Sequence, residues 1–283
     1  MRAVEDVSLE VAAGEVVGIA GPNGAGKSTL IAMLLGFLPP DEGEIRIDER
    51  APREFVEAEG IAYLPELMTL PPTWRLDDAV ARLAALAGVP VAERALVCAR
   101  AIEAVGIGEH ARKRLKALSK GNLQRLGLAS TLLADRRVMV FDEPTHGLDP
   151  VWTGRFRDIV SGLRRPDRAI FIASHNLDEL ERLCDRVAIV DRGRIQRVVT
   201  VREADGAIAG MVRRWRIRAA VGMDALAAQF PDAVVAGQAL ECTIDVAGLN
   251  HGLAAAIAQG ALVLAVAPAE SSLEEAFRTA VAR

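Results

Sequence analysis

The sequence predicts an α/β fold: a mainly parallel sheet with a helical segment inserted between its strands, followed by a small α+β domain. Three observations predict it. Apolar, β-branched segments that end in glycine or in acidic residues recur between residues 14 and 193. Amphipathic helical patterns separate these segments, which is typical of doubly wound parallel sheets. Beyond Arg197 the pattern changes to shorter alternating elements.

The composition argues for a globular chain without a nucleic-acid partner. Of 283 residues, 51% are hydrophobic and 25% are charged, so the chain can bury a core and stay soluble. The formal net charge is −4, and the Lys and Arg residues are scattered along the chain. A nucleic-acid-binding protein is expected to gather them on one basic face.

Three features predict a cytoplasmic location. The first ten residues contain three acidic side chains, where a signal peptide needs an apolar run. The most apolar stretch, residues 252–269, is interrupted by Gln259, Gly260 and Pro268, whereas a membrane span needs roughly twenty apolar residues. The cysteines have no metal-binding spacing and are expected to be free thiols: Cys98, Cys184 and Cys242.

The segment GPNGAGKST predicts a phosphate-binding loop. It follows an apolar run, GEVVGIAG, and precedes STLIAMLLGFL, whose helical spacing stops at Pro39 and Pro40. The glycines let backbone N–H groups cradle phosphate oxygens, and a helix starting at about Lys27 adds its dipole. We expect Lys27 to reach the β- and γ-phosphates and Ser28 to ligate Mg²⁺. The predicted nucleotide-binding residues are Gly21, Pro22, Asn23, Gly24, Ala25, Gly26, Lys27, Ser28 and Thr29.

The segment VMVFDEPT predicts a buried strand that ends in two acids. Ligands of parallel sheets bind at the carboxyl ends of the strands, and two carboxylates placed there need a cation to offset them. We expect Asp142 to hold Mg²⁺, directly or through water, and Glu143 to accept a proton from an attacking water as general base. The alternative is a charged strand end that faces solvent.

The segment LSKGNLQRL predicts a second anion-binding helix start. A helix that begins near Asn122, preceded by Ser119 and Gly121, offers free N–H groups and a hydroxyl. One subunit already has one phosphate loop, so a second such site makes sense if it caps the nucleotide of a neighbouring subunit. An ordinary helix N-cap is the alternative.

The remaining elements complete the predicted organisation. GEIRID and GIAYLPE are expected to be strands, and the segment from about residue 67 to 133 is expected to form the helical block. RVMVFDEP, RAIFIASH and RVAIVDRG are further predicted strands. We predict one domain at residues 1–197 and a second at residues 198–283, which begins with a connector, VREADGAIAGMVRR.

The second domain is predicted to be a ferredoxin-like unit, because its elements follow a βαββαβ order. A final helix follows this unit. The predicted segments, in order, are Trp215–Ala220, Met223–Phe230, Ala233–Ala236, Leu240–Val246, His251–Gln259, Leu262–Val266 and Leu273–Val281.

Four motifs in order closely resemble those of the ATP-binding-cassette (ABC) ATPases: GPNGAGKST, LSKGNLQRLGLA, VMVFDEPTHGLDP and FIASHNLDELERLCDRVAIVDRGRI. The resemblance covers about residues 1–197 and implies a P-loop NTPase of the ABC cassette type that uses ATP and Mg²⁺. Within the family the chain resembles the ATPase subunits of ABC-2-type exporters. Those commonly carry LSKG, and they often append a small domain ending in a helix like SLEEAF at residues 272–277.

The resemblance also implies roles for individual residues. His175 would contact the γ-phosphate and sense its presence. His146 to Asp149 would form the loop along the dimer seam, with Gly147 and Leu148 between them and Asp149 communicating between two sites. The residues expected to clamp the ATP of the opposite subunit are Ser119, Lys120, Gly121 and Asn122.

Three features depart from the family's pattern. Glu66 stands where most cassettes have a glutamine that touches Mg²⁺ and senses the membrane partner, and a carboxylate can also ligate Mg²⁺. Lys120 and Asn122 replace a glycine and a glutamine of the signature. No Phe, Tyr or Trp precedes Gly21 to stack on adenine, so either the start lies downstream of the true one, which we favour, or ATP is bound without that platform.

The sequence therefore predicts an ATPase subunit that energises export through a separate membrane permease. We expect it to work as a head-to-tail dimer of cassettes, peripheral at the inner face of the cell membrane through the permease. Two alternatives stay open: a soluble ABC ATPase without a transport role, and a degenerate nucleotide-binding module that regulates without turnover. The transported substrate is not encoded in any residue that we identify.

Overall fold

The computed structural model describes residues 3–201, 212–236, 239–269 and 272–281. The chain divides into two compact units, Met1–Val199 and Thr200–Arg283. Most of the predicted connector at residues 201–214 lies outside the described residues. No helix in the described part of the chain is long and apolar enough to cross a membrane.

The first unit contains six strands and seven α-helices among the described residues. In chain order they are β1 (Val16–Ala20), α1 (Lys27–Leu34), α2 (Pro52–Ala58), β2 (Ala62–Leu64), α3 (Leu76–Leu86), α4 (Val91–Ala104), α5 (Lys120–Thr131), β3 (Val138–Asp142), α6 (Pro150–Leu163), β4 (Ala169–Ser174), α7 (Leu177–Leu183), β5 (Arg186–Asp191) and β6 (Arg194–Thr200). Helices α3, α4 and α5 lie between β2 and β3 in the chain, so the predicted helical insertion is confirmed.

The strands form one sheet in the order β2-β3-β4-β1-β5-β6. Strands β2, β3, β4, β1 and β5 pair in parallel, as predicted. The register sets Ala20 beside Ser174 and Asp142 beside Ala173. The carboxyl ends of β1, β3 and β4 therefore meet at one edge of the sheet, where the predicted phosphate loop and acidic residues follow.

The core of the first unit explains this order. All five residues of β1 are buried, as are the last four of β3 and the last five of β4. A strand that is covered on both faces reads as a continuous apolar run, which is the pattern of central parallel strands. Its burial fixes the position from which the phosphate loop starts.

One predicted strand and two predicted helix ends in this unit differ from the structure. GEIRID is not a strand: Asp48 and Glu49 have positive φ, so the chain turns and Ile47 pairs only with Arg50. Helix α1 ends at Leu34 rather than at the prolines, because Gly36 turns the chain with φ 73°. Helix α5 begins at Lys120 rather than near Asn122.

The second unit contains β7 (Arg213–Val221), α8 (Met223–Gln229), β8 (Val234–Ala236), β9 (Ala239–Ile244), α9 (Val246–Ala258), β10 (Leu262–Pro268) and α10 (Ser272–Val281). Its strands form an antiparallel sheet in the order β10-β7-β9-β8. The elements follow a βαββαβ order, and α10 comes after them. The core of this unit is built around Ile217, Leu240 and Phe230.

In the second unit the largest difference from the prediction lies between β9 and α9. Val246 was expected to end a strand and His251 to begin a helix, but α9 begins at Val246. The Asp245 carboxylate accepts a hydrogen bond from the Gly248 N–H at 2.7 Å and caps the helix. An aspartate at this position is a strong helix start.

We predict opposite stability effects for the same substitution at two glycines of the first unit. A Cβ at Gly18 in β1 would lie 2.9 Å from the Cys184 sulfur and 3.0 Å from Leu180, so Gly18→Ala should lower the free energy of unfolding by about 1–3 kcal/mol. A Cβ at Gly154 in α6 meets nothing within 4 Å, so Gly154→Ala should raise it by about 0.5–1 kcal/mol. Urea unfolding of both variants measures this, and a Gly18→Ala variant as stable as the parent would contradict the packing.

Candidate functional site

The loop from Gly21 to Gly26 connects β1 to α1 and has the backbone of an anion cradle, and the predicted nucleotide-binding segment continues to Thr29 in the first turn of α1. Gly24 and Gly26 have φ values of 83° and 108°, a left-handed conformation that glycine adopts without strain. A Cβ at Gly21 would lie 2.4 Å from the Val190 carbonyl oxygen, so only glycine fits there. Helix α1 begins at Lys27 as predicted, which directs its free N–H groups into the loop.

The side chains of this loop differ in exposure. Asn23, Gly24 and Ser28 are exposed, Pro22, Gly26 and Thr29 are partly exposed, and Gly21, Ala25 and Lys27 are buried. An exposed Ser28 hydroxyl at the first turn of α1 is available to a ligand, as the sequence predicts for a Mg²⁺ ligand.

The Lys27 ammonium group lies inside the loop. Its Nζ donates to the carbonyl oxygens of Gly21 at 2.7 Å and Pro22 at 3.3 Å, and it lies 3.7 Å from Oε1 of Glu143. Both charged side chains are more than nine-tenths buried. The structure thus brings the predicted phosphate-binding lysine against the predicted general base.

Glu143 is held by the end of β4 and the residue that follows it. Its backbone N–H donates to the Ala173 carbonyl, and its Oε2 accepts from the Ser174 hydroxyl at 3.3 Å and lies 2.7 Å from Nδ1 of His175. A carboxylate only accepts, so a proton on Nδ1 is the arrangement that satisfies this contact. Glu143, His175 and Lys27 therefore form one cluster.

The backbone of Glu143 is strained. Its φ is 44°, in the left-handed region that residues with a Cβ seldom occupy. Such conformations persist where the surrounding structure holds them, and they cluster at functional sites. Here the Ala173 and Ser174 contacts hold the residue in place.

Asp142, the last residue of β3, is a buried carboxylate with excess negative charge around it. Burial, and after it the charges of Glu143 and Glu66, raise the pKa of Asp142 to about 6, while the charge of Lys27 opposes this shift. A group that is costly to ionise in the empty protein is one that a bound cation would stabilise.

The residues present fit Mg²⁺. Among the described residues no group of three or more His, Cys, Asp or Glu side chains could hold a metal by itself. Mg²⁺ is commonly bound through one or two carboxylates together with waters and substrate phosphates. Asp142, Ser28 and Glu66 supply oxygen atoms of that kind. The raised pKa of Asp142 means that a bound cation would stabilise its charged form.

The signature segment starts α5 and packs on the predicted seam loop. The Ser119 hydroxyl accepts from the Asn122 N–H at 3.2 Å and caps the helix. A Cβ on Gly121 would lie 3.0 Å from the Gly147 carbonyl oxygen, so helix and loop approach closely. Asp149 caps α6 by accepting from the Trp152 N–H at 3.0 Å, so its carboxylate has a local structural role.

These residues surround a cavity of about 310 Å³, lined by residues 119–122 and 147–149 together with Arg125 and Trp152. The last two are additions that sequence reasoning missed. The Arg125 guanidinium stacks 3.5 Å from the Trp152 ring centroid and donates to Asn122 Oδ1 at 2.9 Å. Each lies three residues after a predicted site residue, Asn122 or Asp149, which is the spacing of neighbours on one helix face, but no local pattern indicates that the two side chains meet.

Glu66, Lys120 and His146 form a third contact set. The Lys120 Nζ lies 2.6 Å from His146 Nε2, and His146 Nδ1 lies 3.1 Å from Glu66 Oε1. Glu66 also contributes to the raised pKa of Asp142. It therefore connects the acidic strand end with the segment that carries the signature.

Comparison with known proteins agrees with this geometry. A family model described as "ABC transporter" matches residues 4–146, and an AAA-domain model matches the shorter segment 114–181. The solved "Structure of ATP binding subunit of ABC transporter" is 28% identical, with a TM-score of 0.65, and the alignment covers 72% of this chain and 86% of that one.

Three curated relatives match over about two thirds of this chain. An uncharacterized ABC transporter ATP-binding protein of Bacillus subtilis, YhcH, is 33% identical, covering 71% of this chain and 66% of the relative. The methionine import ATP-binding protein MetN of Caulobacter vibrioides is 38% identical (68% and 60%). The Nod factor export ATP-binding protein I of a Bradyrhizobium strain is 34% identical (67% and 63%). The chain thus spans less than two thirds of the length of each.

We predict that Asp142→Asn stabilises the metal-free protein at neutral pH. The pKa of Asp142 in the folded protein is about 6, above its ordinary value of 3.8. The protonated carboxyl group therefore contributes stability that is fully present below pH 3.8 and is lost as the pH rises through about 6. Removing the charge should therefore raise the free energy of unfolding at pH 7.5 by about 1–3 kcal/mol, and have little effect near pH 4.

The measurement is urea unfolding in EDTA at both pH values. The exposed Asp41 provides the matched control, and Asp41→Asn should change neither value. Equal stability of Asp142→Asn and the parent at pH 7.5 would show that burial of this carboxylate carries no electrostatic cost.

Proposed function

The chain belongs to the ABC transporter family, and we propose that it is an ATP-binding and ATP-hydrolysing subunit that energises transport through a separate membrane permease. The observation that carries the proposal is the cluster of Lys27, Glu143 and His175 at the edge where β1, β3 and β4 end. A phosphate cradle, a buried carboxylate and a histidine that orients it are the parts that phosphoryl transfer to water requires.

The roles of the residues follow from their contacts. The loop N–H groups and Lys27 bind the β- and γ-phosphates, and Lys27 is the cation that balances charge developing there. Glu143 accepts a proton from the attacking water as the water oxygen bonds to the γ-phosphorus and the bond to the β-phosphate oxygen breaks. His175, whose Nδ1 lies 2.7 Å from Glu143 Oε2, fixes the carboxylate, and the family resemblance implies that it also contacts the γ-phosphate.

Mg²⁺, held by Ser28 and Asp142 with Glu66 nearby, would neutralise charge on the phosphates when it is bound. The cation would also offset the buried negative charge that Asp142, with a pKa of about 6, carries at neutral pH.

We further propose a head-to-tail dimer of two such cassettes. Ser119, Gly121 and Asn122 stand at the free start of α5, beside a cavity that no residue of the phosphate loop lines. A phosphate site without a phosphate loop is useful when a second copy brings the nucleotide to it. Binding of ATP would then close the dimer, and hydrolysis would let the subunits part.

The direction that we propose is export through an ABC-2-type permease, with the chain peripheral at the inner face of the membrane. Lys120 in the signature and the SLEEAF helix α10 support it. The relatives include proteins named for import and for export. The direction of transport would therefore be set by the permease partner. Residues 198–283 would act as an accessory domain.

Co-purification of the tagged chain with the polytopic membrane protein of a neighbouring reading frame, followed by transport assays in vesicles, tests the direction.

We predict that Glu143→Gln lowers steady-state phosphate release by about 10²–10⁴-fold, because it removes the proton acceptor. The variant should still bind MgATP and should shift from monomer to dimer on addition of MgATP, as measured by light scattering. Lys27→Ala should lose both binding and dimerisation.

The matched control is Glu42→Gln, an exposed glutamate of the first unit, which should behave as the parent. Phosphate release by Glu143→Gln at the parental rate would exclude Glu143 as the general base. Absence of turnover in the parent, with its permease present, would favour a regulatory module instead.

A further inference from the structure

The start of α5 is fastened to the segment that follows β3. The Gln124 side-chain amide donates to the Pro144 carbonyl oxygen at 3.2 Å, and this contact is buried. A Cβ on Gly121 would lie 3.0 Å from the Gly147 carbonyl oxygen. These two contacts bring the signature end of the helical block directly against residues 144–147.

Lys120 makes the third contact. Its Cγ, Cδ and Cε atoms lie 3.1–3.3 Å from the position of a Cβ on Gly147, so the side chain runs along the backbone of this loop. Its ammonium group ends 2.6 Å from His146 Nε2. The sequence predicts that Lys120 faces the nucleotide of the opposite subunit, whereas the side chain here lies on its own chain.

The Lys120 contact determines which nitrogen of His146 carries the proton. An ammonium group can only donate, so Nε2 must be the acceptor and the proton must be on Nδ1. That Nδ1 is buried from solvent and makes no aligned hydrogen bond, and Glu66 Oε1 lies 3.1 Å from it. The imidazole thus lies between a cation and an anion. Its Nε2 lone pair faces the Lys120 ammonium group, and its Nδ1–H faces the Glu66 carboxylate.

We propose that His146 is a positioning residue that couples Glu66 to Lys120. This inference rests on the proposed function and deepens it. His146 holds the Lys120 side chain away from the free N–H groups at the start of α5, which leaves them open to the partner's nucleotide. Glu66 follows β2 by two residues, and its charge helps to raise the pKa of Asp142. Since His146 contacts both Glu66 and Lys120, a displacement of Glu66 is passed through His146 to the signature.

The effect should be one of orientation rather than of stability. The side chains of His146 and Glu66 are 37% and 45% exposed, and ion pairs at such exposure contribute little to folding. The test therefore measures dimerisation and the tautomer of one histidine instead of an unfolding free energy.

The first experiment uses full-length Glu143→Gln protein and measures the ATP concentration for half-maximal dimerisation. Lys120→Met and His146→Leu should each raise it about five- to tenfold, the scale of a coupling between sites. The double variant should be no worse than the worse single variant. His146→Gln, whose amide can both accept and donate, should restore most of the loss, and exposed Lys116→Met is the control.

Two results would overturn the proposal. Multiplicative effects of Lys120→Met and His146→Leu would mean that the residues act independently. A large effect of Lys120→Met with none of His146→Leu would mean that Lys120 contacts the partner's nucleotide itself.

The second experiment needs no nucleotide and separates this inference from the proposed function. The ¹⁵N spectrum of His146 in the nucleotide-free protein should show an unprotonated Nε2, whose signal shifts in Lys120→Met, and a protonated Nδ1, whose signal shifts in Glu66→Gln. A protonated Nε2 would refute the arrangement. If Glu143→Gln failed to dimerise while these shifts occurred, the proposed function would fail and the His146 contacts would stand.

Discussion

The parallel register of β1, β3 and β4 is the constraint on which the site depends. Ala20 lies beside Ser174, and Asp142 lies beside Ala173. The phosphate loop, Glu143 and His175 therefore start from neighbouring strand ends. A slip of one residue in β3 would turn Asp142 to the opposite face of the sheet and separate Glu143 from Lys27. The buried, apolar strands oppose that slip, since it would disrupt the close packing of side chains on both faces of the sheet.

A second constraint is the imbalance of charge at this edge. The charges of Glu143 and Glu66 help to raise the pKa of Asp142, and Lys27 is the cation that opposes them there. Folding this set of acids together is costly unless a cation joins them. The same imbalance that destabilises the empty site would favour Mg²⁺ together with a triphosphate, so affinity for the ligand and strain in its absence have one origin.

Much of the fold and of the first cluster could be predicted from sequence because the signals are local. A β-branched run followed by glycines and Lys27 specifies strand, loop and helix within twenty residues, and the structure confirms these elements. The boundaries that failed depend on backbone conformations that apolar periodicity does not encode, such as the left-handed Gly36 and the turn at Asp48 and Glu49. The start of α9 was missed although Asp245 is a recognisable cap.

The contacts between α5 and the segment after β3 could not be predicted from local sequence patterns. Arg125 and Trp152 are 27 positions apart, and Lys120 and His146 are 26 positions apart. Their meeting depends on how α5 packs against the loop after β3, which is a tertiary property. The sequence predicts Lys120 as part of a phosphate-facing signature, but the local pattern carries no information about the direction of its side chain.

The left-handed backbone of Glu143 lowers stability at the same residue that is proposed as the general base for turnover. A conformation with φ 44° costs a residue with a Cβ about 1 kcal/mol relative to glycine. Selection for thermal resistance alone would replace this residue with glycine or asparagine. Laboratory evolution toward heat tolerance, carried out without a demand for activity, should therefore replace the proposed general base at this strand end before it alters the rest of the sheet.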